Sequence, residues 1–222
     1  ITVPPPQMVA NMRVGNMDGY CVGEPWGHRA IADGIGITAT TTQDIWPDHP
    51  EKVLGTTAEF AKKYPNTARA VTAAILEASK WIDAGLQNKM KMAETIADKA
   101  YVNTSVDVIN QRILGRYQNG LGKTWDDKNH MKFYADGNAT FPYLSDGMWF
   151  LTQHKRWGLL KDHPDYLNVA KQINHIDIYK QAATASNTPV PKDAMRTSKF
   201  MDGLVWDGKD PKKYADSFKV KA

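Results

Sequence analysis

A chain of 222 residues, 42% of them hydrophobic, is long enough to bury a sizeable core as one large domain or parts of two, which argues against disorder. Its 28 Lys and Arg against 24 Asp and Glu leave a net charge of +4 that is spread along the chain, without the aromatic-plus-Arg pattern that stacks on nucleic acid, so the modest field suits a small anion instead. Cys21 is the single cysteine, which excludes an internal disulfide and a Cys-based metal site, and no run of about 18 apolar residues could span a bilayer. The opening at Ile1, without Met, basic n-region or apolar h-region, reads as a cut inside a longer protein.

In chain order, residues 1–3 read as a strand, and Pro4 to Pro6 open a helix with Met8, Val9 and Met12 on one face. The apolar run from Gly19 to Val22 reads as a second strand stopped by Gly23 and Pro25, and the β-branched stretch 34–42 as a third. This β-α-β rhythm places the first 42 residues in an α/β sheet, although they hold too few strands to form a covered one. After a connection from Pro47 to Pro50 comes a β-prone piece from Val53 to Thr57, and then mostly helix. Asn66 caps a long helix whose Val71, Ala74, Ile75, Ala78 and Ile82 recur at helical spacing. Further helices are expected over 93–99, over 106–114 with Thr104 as cap, over 147–157 and over 168–183. The stretch from Tyr117 to Phe141 reads as a long loop, and Pro189 onward as a surface tail with short structure around Asp193 to Met201.

Several residues invite chemistry and do not carry it. The string NGLGKT at 119–124 lacks the first glycine of a phosphate loop and follows a helix rather than a strand, which leaves a turn with a solvated Lys123. The six histidines show no pair at metal-ligand spacing, and Cys21 has no cationic neighbour to stabilise a thiolate, so it reads as a buried small side chain. Met8, Met12 and Met17 read as core. The segment from Asp18 to Trp26 differs in kind. A strand ending in Gly23, Glu24, Pro25 and Trp26 offers free backbone N–H groups, a carboxylate and an indole at its carboxyl end, where open α/β sheets bind ligands; a purely structural strand-to-helix turn fits the same residues equally well.

The block VGNMDGYCVGEPW (14–26) resembles the nitrate-binding proteins of bacterial ABC importers, with bicarbonate-binding proteins and nitrate-sensing regulators as relatives. The likeness continues in TQDIW (42–46), HPEKVLG (49–55), GRYQNG (115–120), FPYLSDGMWF (141–150) and VWDG (205–208), in family order over nearly the whole chain. The resemblance implies an α/β, periplasmic-binding-protein-like two-lobed fold (type II), of which only the latter part is present. Residues 1–46 would end the second lobe, and residues 47–222 would cross over and return, helix-rich, to the first. It further implies anion contacts at the Gly23 backbone and the Lys52 ammonium, and only these two; Glu24 and Trp26, at the carboxyl end of the same expected strand, are candidates to line the cleft.

A buried monovalent anion needs a compensating charge, and one ammonium about 4 Å away supplies on the order of 4 kcal/mol at an effective dielectric near 20, before desolvation. Micromolar capture requires roughly 8 kcal/mol, so N–H donors and closure must contribute the rest. Bicarbonate-binding relatives carry a carboxylate where this chain has Lys52, so the resemblance favours nitrate or nitrite. What it implies is a receptor without catalysis or cofactor, working with a permease and an ATPase from the periplasm, and compatible with a lipid anchor upstream that holds it to the inner membrane. The same likeness leaves a cytoplasmic nitrate sensor and a bicarbonate-binding homologue as alternatives. Thiamine-pyrimidine synthases share the two-lobed fold, but they carry a cysteine-rich iron motif that this sequence lacks.

Overall fold

A computed structural model describes residues 1–219. They form two compact units, the first from Ile1–Asp44 and Trp81–Phe133, the second from Ile45–Lys80 and the described residues from Tyr134 onward.

In the first unit, α1 (Pro5–Arg13) packs on α2 (Trp26–Ala32), and α2 packs on α7 (Val106–Ile113). Helix α7 in turn packs on α6 (Leu86–Ile96) and on β1 (Arg116–Gln118), which pairs antiparallel with β2 (Thr124–Asp126). Met92 and Ala93 of α6 meet Ile109 and Ile113 of α7 to make the core, with Ile96 and Phe133 against it. Ser105, not Thr104, caps α7 by accepting the Val108 N–H at 3.3 Å. The Thr104 hydroxyl is already taken by Arg29 Nη1 at 3.0 Å.

The strands expected over 1–3, 19–22 and 34–42 do not form. A strand exists only where a second backbone completes its ladder, and among the described residues none completes one with these stretches, the last of which begins at Gly34 with φ 70° and enters a short helix at Thr42. The stretch 34–42 comes nearest: the Thr38 N–H donates to the Asn119 carbonyl at 3.0 Å, at the turn of the β1–β2 hairpin. Gly120 permits this approach, because at its φ of 77° a Cβ would stand 2.6 Å from the Gly36 carbonyl oxygen. Lacking a pleated partner, Cys21 is exposed rather than buried, and Met8, Met12 and Met17 are half-buried.

In the second unit, α8 (Leu144–Arg156) packs against α9 (Tyr166–Ile173) and α11 (Pro211–Asp216). The helix expected over 168–183 is two helices, α9 and α10 (Ile176–Ala185), because His175 turns left-handed at φ 39°. At that break the Asn174 side chain donates to the carbonyls of Pro142 and Tyr143, which satisfies backbone acceptors just ahead of α8. Two core clusters sit here, one around Leu76, Phe141, Tyr143 and Tyr179, the other around Leu144, Met148, Tyr166 and Trp206.

The stretch after Pro189 is no surface tail. Val190 and Ala194 pack into the first cluster, and β3 (Ser198–Lys199) pairs with β4 (Val205–Trp206). Trp206 is buried, and its indole N–H donates to the Ser145 carbonyl at 2.8 Å. The remaining α-helices are α3 (Thr42–Ile45), α4 (Ala58–Lys63) and α5 (Pro65–Asp83); the last is the long helix expected here, but it starts at Pro65, so Asn66 lies within its first turn rather than capping it. No helix among the described residues is long and apolar enough to cross a membrane.

Candidate functional site

The residues singled out by sequence fall in different units: Gly23, Glu24 and Trp26 in the first, Lys52 in the second. Gly23 is half-buried on the stretch that leads into α2. Behind it, Glu24 turns inward. One carboxylate oxygen accepts the His28 N–H at 3.1 Å, and the other stands 3.2 Å from Arg112 Nε. Trp26 is half-buried at the start of α2, and its carbonyl accepts the Tyr20 hydroxyl at 3.0 Å.

Arg112 is the residue that sequence reasoning missed. Only 3% of its side chain is exposed, and its guanidinium lies 4.3 Å from the centroid of the Tyr117 ring, which stacks on Trp125 across the hairpin at 5.6 Å. A signal for it exists in the sequence. Arg112 lies four residues after Val108 and three after Ile109, on the apolar face of α7, where a charge needs a partner. Burial raises the Glu24 carboxyl above its ordinary range, against the opposing pull of Arg112 and of the His28 N–H. Next to this pair, His28 is fully buried, and its ring nitrogens find no hydrogen-bond partner. Its burial and the Arg112 cation lower the imidazole from 6.5 to about 4, so it is neutral at neutral pH; a weaker polar interaction with Gln111 opposes the shift.

Lys52 stands in different surroundings. Every residue from Glu51 to Phe60 is exposed, and the Lys52 side chain is 76% exposed with its ammonium 2.9 Å from Glu51. An exposed pair of this kind contributes roughly 0–1 kcal/mol, so little holds the ammonium back from a competing anion. The segment ahead of it is firmly held. Trp46 is 1% exposed, wedged against Trp149 at 4.7 Å and Phe200 at 5.1 Å, and the His49 ring meets it edge-on at 5.2 Å. Arg196 pairs with the buried Asp146 through Nε at 2.9 Å and Nη2 at 2.8 Å, and the same Nη2 donates to the Asp48 carbonyl at 3.1 Å. Burial raises the Asp146 carboxyl, against the hydrogen bond and charge of Arg196.

The residues set aside by sequence behave as turns and structure. Asn119 Oδ1 accepts the N–H groups of Leu121 and Lys123 at 2.8 and 3.0 Å, so the glycine-bearing loop of the first hairpin satisfies its own donors. Among the described residues no group of three or more His, Cys, Asp or Glu could hold a metal ion.

The nitrate/nitrite-binding protein NrtA of Nostoc sp. strain PCC 7120 is 39% identical over 99% of this chain and 50% of its own length. The crystal structure of the periplasmic nitrate-binding protein NrtA from Synechocystis PCC 6803 matches with a TM-score of 0.93 and 36% identity, over 99% of this chain and 58% of that one. The chain is similar to nitrate/nitrite-binding proteins over about half of their length. The bicarbonate-binding protein CmpA of Synechococcus elongatus strain PCC 7942 is less similar, at 29% identity over 100% of this chain and 52% of its own length. Residues 1–97 also match the NMT1-like family. The chain spans about half the length of the curated relatives it matches. Its fold is correspondingly part of a periplasmic-binding-protein fold of mixed helix and sheet.

Proposed function

We propose that this chain supplies part of a periplasmic receptor that captures nitrate, or nitrite, for an ABC-type importer. The backbone at Gly23 and the ammonium of Lys52 contact the anion, with Glu24 and Trp26 walling the cleft. Residues 1–46 end the second lobe, and residues 47–222 cross over and return to the first. The receptor binds and releases the anion without changing a bond in it and needs no cofactor. A permease and an ATPase are its partners, and a lipid anchor upstream would hold it at the inner membrane.

The observation that carries this reading is Lys52, an exposed cation held loosely by one neighbouring carboxylate, in a chain more similar to nitrate/nitrite-binding than to bicarbonate-binding proteins. A loosely held ammonium can follow an anion into a site, whereas a buried and fully paired one could not exchange partners without a desolvation cost. Calorimetric titration of the intact protein with nitrate, nitrite and bicarbonate in separate runs tests the reading. It predicts micromolar binding of nitrate and no saturable heat with bicarbonate. Tighter binding of bicarbonate would replace the reading with its bicarbonate-binding alternative, and no anion binding at all would end it.

A further inference from the structure

We propose that Arg196 is a positioning residue for anion capture, fixing through the Asp48 carbonyl the backbone from which Lys52 projects; this rests on the reading of Lys52 given above. Four residues before Lys52, Asp48 sits at φ 57°, a left-handed conformation that aspartate visits more readily than most side chains but that is still uncommon, so a hold on it keeps the turn in one form. The structure supplies the hold. Arg196 Nη2 donates to the Asp48 carbonyl at 3.1 Å, and the His49 N–H closes the turn onto the Trp46 carbonyl at 3.1 Å.

Arg196 is itself immobilised from three sides. Its guanidinium grips both carboxylate oxygens of Asp146, its backbone N–H donates to Ser145 Oγ at 3.0 Å, and its charge lies 5.0 Å from the Tyr143 ring centroid. Asp146 and Ser145 belong to the buried face of α8, so the tether runs from a core helix to the turn that launches the exposed run from Glu51 to Phe60. A planar fork is what this geometry requires, because one guanidinium must satisfy two carboxylate oxygens and a carbonyl together. Lysine in its place would keep a charge beside Asp146 but could not reproduce that fork.

The consequence concerns order rather than contact. An ammonium on an unanchored loop must be ordered when the anion arrives, and ordering even one residue's backbone costs about a tenfold loss of affinity. The test is a double-mutant cycle in the intact protein, built from Arg196→Lys and Lys52→Met, with nitrate affinity read by calorimetry extended to millimolar nitrate for the weaker variants. Arg196→Lys is expected to weaken nitrate binding roughly tenfold in the wild-type background and to have no effect once Lys52 is Met.

Amide hydrogen exchange supplies a readout independent of affinity. In Arg196→Lys the amides of His49, Glu51 and Lys52 should exchange faster while those of α8 keep their protection. Wild-type affinity in Arg196→Lys, an equal loss in both backgrounds, or loss of protection throughout α8 would each overturn the proposal and leave Arg196 a purely structural residue. Wild-type affinity in Lys52→Met would instead overturn the reading of Lys52, and the proposal with it.

Discussion

Gly23 and Lys52 each have a glutamate beside them in sequence, and the two glutamates sit in opposite surroundings. Glu24 is turned into the first unit, between the buried Arg112 and the His28 N–H, whereas Glu51 lies in the open with an exposed lysine. On the proposed reading, in which Gly23 and Lys52 contact the anion, the difference follows from what each neighbour has to do. A backbone donor has no reach, so the residues around Gly23 must be held still, and a paired charge within the core does that. A lysine reaches on a flexible stem, so only the turn beneath it must be rigid. The first region should therefore answer to mutation mainly in stability and the second mainly in affinity.

The largest stability effect falls on the first region. Arg112→Met leaves the Glu24 carboxylate largely buried without its cation and should cost about 3 kcal/mol, the lower end of the range for a broken buried pair. Urea denaturation measures it, and adding Glu24→Gln should restore part of the loss; a cost below about 1 kcal/mol would show that the pair does not hold this region.

An effect of similar size at acid pH comes from His28. Its folded pKa of about 4 lies below the ordinary 6.5, so between those values the unfolded chain binds a proton that the folded one refuses. Its contribution is thus complete above about pH 6.5 and falls away toward pH 4, by on the order of 3 kcal/mol. The raised carboxyl of Glu24 works in the other direction, gaining stability as pH falls, so the comparison must be between the protein and its His28→Leu variant. Going from pH 6.5 to 4, the parent should lose stability relative to the variant by on the order of 3 kcal/mol, read from the urea midpoints, and parallel curves would contradict the assignment.

The smallest effect belongs to the second region. Glu51→Gln removes an exposed ion pair and should leave the urea midpoint within about 0.5 kcal/mol of the parent. A larger loss would mean that the run from Glu51 to Phe60 is held by more than the turn ahead of it.

What the sequence disclosed, and what it hid, divides along the range of the interactions involved. The apolar spacing from Val71 to Ile82 made α5 legible, because a helix hydrogen-bonds within itself. The stretches around 19–22 and 34–42 read as strands from their composition but form none, since pairing depends on a second backbone that local composition does not report. The helix expected over 168–183 hid its break because Asn174 is spent on carbonyls some thirty residues away. Longer-range partners escaped altogether. Arg112 meets Glu24 across 88 positions in the chain, and Arg196 meets Asp146 across fifty, although a charge on the apolar face of α7 was a readable sign of the first pair. Trp206 stayed hidden for the same reason, as its indole partner, Ser145, is sixty-one residues distant.

The central claim, that the ammonium of Lys52 serves a captured anion, meets its most direct test in the nitrate affinity of the intact protein and its Lys52→Glu variant, measured side by side by calorimetry. Reversing this charge replaces an attraction worth on the order of 4 kcal/mol with a repulsion, so the account predicts that nitrate binding weakens by at least about a thousandfold while the urea midpoint is kept. A nitrate affinity unchanged by the substitution would contradict it.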